Sequence, residues 1–216
     1  MAALDGPRDM PPHGGPPRQL VILLHGYGSN GEDLIGLAPY WRQALPDAVF
    51  VSPNAPEPCP GAPDGYQWWP LASLDSGSRA AGVRSAAPVV DAFIDAELAR
   101  YGLTEDRLVL GGFSQGAMMT LHVGPRRERQ LAGLMAYSGM LGDPATMLAE
   151  VRSKPPVLLV HGDADPMVPI AGFHKAQAAL AEHGFDLTTH VSRGLGHSID
   201  LDGLNVGAAF LTRVLA

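Results

Sequence analysis

Gly112-Phe113-Ser114-Gln115-Gly116 follows the apolar run Arg107-Leu108-Val109-Leu110-Gly111 and precedes Ala117-Met118-Met119-Thr120-Leu121. The run before it has strand character, and the run after it suits a helix. G-x-S-x-G between a strand and a helix is a nucleophile elbow. So sharp a turn forces a strained backbone on its central residue and presents the hydroxyl at the carboxyl end of the sheet. Glycine on either side removes side chains that would clash with the crossing strand and helix. Five residues alone are a weak signal. The flanking runs, and partners further along the chain, raise it well above chance.

Strand-like runs lie on both sides of the elbow: Leu20 to Leu24, Ala48 to Val51, Leu131 to Ala136, Val157 to Val160 and Leu187 to Val191. Helical stretches separate or follow them. Leu34, Ile35, Leu37, Ala38 and Trp41 form one apolar face, and Val90, Phe93, Ile94 and Leu98 another; Ala171 to Glu182 and Leu204 to Val214 supply two more. Pro88 is expected near the start of its helix, or at a bend in it. Alternating strands and helices, with no repeat and no linker, predict an α/β fold: a mostly parallel central sheet with helices on both faces. A chain of 216 residues is enough for one such domain. The expected division is a Pro/Gly-rich tail over residues 1–17 and a single domain over 18–216, without a separate cap domain.

Residues 53 to about 78 read as a long irregular connection. It holds six prolines from Pro53 to Pro70, with Tyr66, Trp68 and Trp69 near its end. A loop of that length inside a domain is usually functional or mobile. The segment is expected to have such a role and also to serve as a proline-stiffened cover over the core.

The formal net charge of −7 argues against a general nucleic-acid or acidic-membrane binder. No apolar run approaches the length needed to cross a bilayer, and no signal peptide is visible. Cys59, the only cysteine, sits between two prolines and reads as an incidental thiol. A single thiol fits a reducing compartment, so the expected location is cytoplasmic. Neither a metal nor an organic cofactor is expected. His161, Asp163 and Asp165 lie close together, but not at the spacing of a known metal site.

A serine nucleophile needs a base, and the base needs an acid to orient it. The acid lies in His161-Gly162-Asp163-Ala164-Asp165-Pro166-Met167-Val168-Pro169, just after a strand. Spacing leaves Asp163 and Asp165 both open, with a slight preference for Asp165; Asp163, nearer the strand end, suits bonding to loop amides. The base candidate is His197, in Arg193-Gly194-Leu195-Gly196-His197-Ser198, between the last strand and the last helix. Two backbone donors must meet the oxyanion. One is the amide of Gln115. The other is that of Tyr27, in His25-Gly26-Tyr27-Gly28-Ser29, although such a stretch by itself is equally a strand-to-helix turn.

With these residues in hand, the chain resembles the small α/β-hydrolases of the carboxylesterase and acyl-protein thioesterase family. Four segments carry the resemblance: Leu24 to Gly28, Leu110 to Gly116, His161 to Pro169, and Gly194 to Ser198. The G-G-F-S-Q-G and H-G-D-x-D-P-x-V-P segments are the specific ones. The resemblance implies a triad of Ser114, Asp165 and His197 and oxyanion donors at Tyr27 and Gln115, and it decides between the two aspartates. It also implies a serine carboxylesterase acting through an acyl-enzyme on a small-molecule ester or thioester. The same residues would serve an acyl-protein thioesterase or lysophospholipase. A non-catalytic binding module on the same fold is disfavoured by the complete triad, and a homodimer is left open. Pro70 stands where the family commonly has an acid, a departure that bears on substrate. The expected groove lining is Trp68, Leu71, Met140, Leu141, Met167 and Val168, with core packing the competing account of each.

Overall fold

A computed structural model describes residues 4–71, 75–147 and 149–216. Among them, nine strands run in chain order: β1 (Arg8–Asp9), β2 (Gln19–Leu24), β3 (Ala48–Val51), β4 (Glu57–Pro58), β5 (Tyr66–Gln67), β6 (Leu108–Phe113), β7 (Gly133–Tyr137), β8 (Val157–Gly162) and β9 (Leu187–Ser192). The helices are α1 (Gly31–Ile35), α2 (Ala38–Trp41), α3 (Ser76–Tyr101), α4 (Gln115–Val123), α5 (Pro144–Met147), α6 (Ile170–Glu182) and α7 (Leu201–Leu215).

Seven strands form one sheet in the order β1-β3-β2-β6-β7-β8-β9. Every pairing in it is parallel except β1 with β3. The central strands are apolar throughout because both their faces are covered. Alternate residues then enter different cores. Leu20, Ile22 and Leu24 join Val83, Phe93, Met119 and Phe173 from α3, α4 and α6. Val21 and Leu23 join Leu34, Trp41, Phe210 and Leu211 from α1, α2 and α7. The sheet is therefore sandwiched between two helical layers. The mostly parallel sheet with helices on both faces, expected from the alternating pattern, is the one observed.

The chain starts the parallel sheet in its middle. It runs outward from β2 to β3, then crosses to β6 on the other side and continues to β9. The strand order reverses between β2 and β6, and the crevice beyond the carboxyl ends of such a pair is where open α/β sheets bind ligands. The turn after β6 holds Ser114, and the loop after β2 holds Tyr27.

Two expectations need correction. The segment from 53 to about 78 is not wholly irregular: it carries the antiparallel β4–β5 pair and the start of α3. Pro88 is not at a helix start but well inside α3, whose 26 residues begin at Ser76 after the Asp75 cap. An interior proline costs a helix about 3 kcal/mol. Here it lies on the exposed side, and the opposite side offsets the loss by burying Val83, Ala86, Val90, Phe93 and Ile94.

The N-terminal segment is tied down. Arg8 forms a 2.8 Å ion pair with the buried Glu97 of α3, and Asp9 a 2.8 Å pair with Arg42. No described helix is long and apolar enough to cross a membrane.

Candidate active site

β6 ends at Phe113 and α4 begins at Gln115, so Ser114 alone makes the turn. Its φ of 54° and ψ of −112° lie where a residue with a Cβ is strained, at a cost of order 1–3 kcal/mol. The elbow glycines explain how so tight a turn packs. A Cβ on Gly112 would stand 2.4 Å from the Gly116 carbonyl carbon, and one on Gly116 would stand 1.9 Å from the Leu24 oxygen.

The structure brings Ser114, His197 and Asp165 together. Ser114 Oγ is 2.9 Å from His197 Nε2, and His197 Nδ1 is 2.7 Å from Asp165 Oδ2. With the ring proton on Nδ1, His197 donates to the carboxylate and accepts from the serine hydroxyl. The Phe113 ring packs against the imidazole, with centroids 4.8 Å apart.

Asp165 follows β8, and its side chain is fully buried. Its Oδ1 accepts the amides of Met167 at 2.8 Å and Val168 at 2.9 Å. Burial pushes its pKa up, but the His197 contact and the two amides outweigh that and hold it below the usual carboxylate value. His161, also buried, donates its Nε2–H to the Val168 carbonyl at 2.8 Å. Asp163 points elsewhere. It is exposed, and its Oδ1 accepts the Gly194 amide at 2.6 Å, bracing the loop that carries His197.

The two expected oxyanion donors flank the serine. The Gln115 amide opens α4, where the first amides of a helix have no intrahelical acceptor. In the loop after β2, the amides of Gly28 and Ser29 donate to the carbonyls of Tyr66 and Gly26, whereas the Tyr27 amide has no acceptor among the described residues. Gly26 permits the close approach: a Cβ there would lie 3.3 Å from that of Ser114. The buried His25 ring anchors the loop. Its Nδ1–H donates to the Gly26 carbonyl at 2.8 Å, and its Nε2 accepts the Ala55 amide at 2.9 Å. Burial lowers the pKa of this ring, against the Gly26 hydrogen bond, so the neutral form is favoured.

A cleft of about 320 Å³ opens above these groups. Tyr27, Leu71, Met118, Met167 and Val168 line it around Ser114, Gln115 and His197. Leu71, Met167 and Val168 thus stand where the groove was expected. Trp68, Met140 and Leu141 do not line it. Trp68 is buried behind the oxyanion loop, its Nε1–H donating to the His25 carbonyl at 2.9 Å, and it borders a separate hollow with Tyr66 and Val89. Met140 lies against Gly172 of α6, and Leu141 is buried in the core. An apolar side chain next to a functional segment reads the same in sequence whether it faces cleft or core. Met118 was missed, although it lies one helical turn after Ser114 and shares its side of α4. Among the described residues, no group of three or more His, Cys, Asp or Glu side chains is gathered to hold a metal ion.

Residues 11–215 match the phospholipase/carboxylesterase family. Acyl-protein thioesterase 1 of Neurospora crassa is 32% identical over 213 residues, covering 90% of this chain and 86% of that protein. Esterase YpfH of Escherichia coli K12 is 32% identical over 190 residues, covering 86% of this chain and 78% of that protein. The crystal structure of esterase PE8 superposes with a TM-score of 0.95 at 46% identity, covering 99% of this chain and 100% of that one. The chain belongs to the phospholipase/carboxylesterase family of α/β-hydrolases.

Proposed function

We propose that this chain hydrolyses carboxylic esters through an acyl-enzyme on Ser114. The observation that carries the proposal is the unbroken line Ser114 Oγ, His197, Asp165, with its 2.9 and 2.7 Å contacts, at the floor of the cleft. His197 takes the hydroxyl proton as Oγ attacks the ester carbonyl. The carbonyl oxygen becomes an oxyanion and receives the amides of Tyr27 and Gln115. Asp165, held ionised, stabilises the imidazolium. His197 then gives its proton to the departing alcohol, which leaves Ser114 acylated. Water enters, loses a proton to His197 and attacks the acyl carbon. Collapse of the second intermediate returns the proton to Ser114 and releases the acid.

A thioester substrate is the second reading. Two observations favour it: the similarity to acyl-protein thioesterase 1, and a cleft wall of Leu71, Met118 and Val168 suited to an apolar acyl chain. The chemistry is unchanged, with a thiol as leaving group.

The test is Ser114→Ala, assayed on p-nitrophenyl esters of increasing acyl length and on a palmitoyl thioester. Turnover of every substrate should fall by about 10⁴ to 10⁶. A fluorophosphonate should label Ser114 in the parent chain and nothing in the variant. Parental turnover by a folded Ser114→Ala chain would remove the proposal.

A further inference from the structure

We infer that the side chain of Gln115 is a positioning residue that holds the two halves of the oxyanion hole together; the inference rests on the reading of Ser114 as nucleophile. The backbone amide of Gln115 is one oxyanion donor in that reading. The residue is 2% exposed, and its side chain is turned onto the Trp68-Trp69 backbone just after β5. Oε1 accepts the Trp68 amide at 2.9 Å, and Nε2 donates to the Trp69 carbonyl at 2.9 Å.

The tie continues to the other donor. The Trp68 indole donates to the His25 carbonyl at 2.9 Å, and the His25 ring lies against it with centroids 5.5 Å apart. Beside it, Tyr66 takes the Gly28 amide at 2.9 Å and gives its own amide to Ser29 at 2.8 Å. The loop bearing Tyr27 is thus fastened along its length to the segment from Tyr66 to Trp69. The side chain of Gln115 fastens that segment to the elbow.

The choice of residue follows from this geometry. Trp68 presents its backbone N–H and Trp69 its backbone C=O, so the bridging side chain must accept and donate at once, as a carboxamide does. Glutamate would set an oxygen against the Trp69 carbonyl, and methionine would fill the space without either bond. A hole built from donors on two loops stabilises the oxyanion only while their spacing is fixed, because each bond weakens steeply with distance and angle.

The test uses the full chain with Gln115→Met, Trp68→Phe and both together. Trp68→Phe removes the indole N–H and keeps an aromatic ring in place. Active sites are counted by fluorophosphonate titration, so a partly misfolded preparation does not pass for a slow enzyme. The kcat per titrated site should fall about ten- to a hundredfold in each single variant, with KM near the parent value. Affinity for a trifluoromethyl ketone, whose serine adduct carries the oxyanion, should fall by a similar factor. The pH profile of kcat/KM should stay where it is, since neither change touches His197 or Asp165. The double variant should lose little more than the worse single, because both cut one tie. Parental kcat per titrated site and parental ketone affinity in the single variants would overturn the inference. If Gln115→Met does not fold, Trp68→Phe decides alone. Parental turnover by Ser114→Ala would instead defeat the catalytic reading; an inactive Ser114→Ala beside unaffected Gln115→Met and Trp68→Phe would defeat only this one.

Discussion

Asp165 and His197 meet through one carboxylate oxygen at 2.7 Å, while the other oxygen of Asp165 is fixed by two backbone amides. The carboxylate therefore cannot swing away, and the imidazole is held in one orientation. Asp165→Asn should lower kcat/KM by about 10³ to 10⁴, because the amide cannot stabilise the imidazolium. Asp163→Asn should cost far less, since asparagine still accepts the Gly194 amide through its oxygen. Steady-state kinetics on one chromogenic ester compares the two; a reversed order would mean that Asp163 is the working acid.

Strain at Ser114 should be visible as stability. Glycine adopts a φ of 54° without a Cβ clash, whereas alanine does not. Ser114→Gly should thus unfold at higher denaturant than Ser114→Ala, both being inactive. The strain relieved is about 1–3 kcal/mol, less about 0.5–1 kcal/mol for the looser unfolded chain. Chemical denaturation of the pair gives the difference. Equal midpoints would mean that the elbow stores no strain.

Leu71 and Met118 should set acyl selectivity. Both line the cleft, and neither side chain hydrogen-bonds to Ser114, His197 or Asp165. Leu71→Ala and Met118→Ala should move the preferred p-nitrophenyl ester to a longer acyl chain, changing discrimination by about 1–3 kcal/mol. Fluorophosphonate labelling should proceed near the parent rate. An unchanged chain-length profile in both variants would place the acyl group elsewhere.

His122 should make the fold acid-sensitive above the carboxylate range. Burial, with help from Arg126 and Arg84, pushes its pKa down from 6.5 to about 4. The unfolded chain therefore takes up a proton that the folded chain refuses. This contribution is complete above pH 6.5 and is lost as the pH falls towards 4. The urea midpoint should drop between pH 7 and pH 4.5, and His122→Gln should flatten that drop. Parallel curves for parent and variant would assign the sensitivity to other groups.

The fold was legible because β2, β3, β6, β7 and β8 are apolar runs separated by helical stretches, whereas the two-residue strands β1, β4 and β5 carry no such mark. Ser114 and His197 stood out because each sits in a short, glycine-marked turn beyond a strand, whereas spacing left Asp163 and Asp165 both open and only the family resemblance chose Asp165. The sequence could not separate Trp68, Met140 and Leu141, which do not border the cleft, from Leu71, Met167 and Val168, which do. Apolar side chains carry no mark of which way they face, and Trp68 turned out to be a buried brace. The side-chain bonds of Gln115 were beyond reach too, since they join residues 47 and 46 positions apart across a crossover. Pro88 misled because a local rule about helix interiors was overridden by burial along the rest of α3.

Two residues of ladder close one flank of the sheet. β1 pairs Arg8 with Val51 and Asp9 with Phe50 and covers the outer rim of β3. β3 is wholly buried, so without β1 a flat apolar strand would offer its unpaired amides and carbonyls to any passing chain. The ion pairs to Glu97 and Arg42 hold that cover in place. A version lacking the first ten residues should therefore lose solubility before it loses turnover, its molecules adding to one another strand by strand along the bared rim.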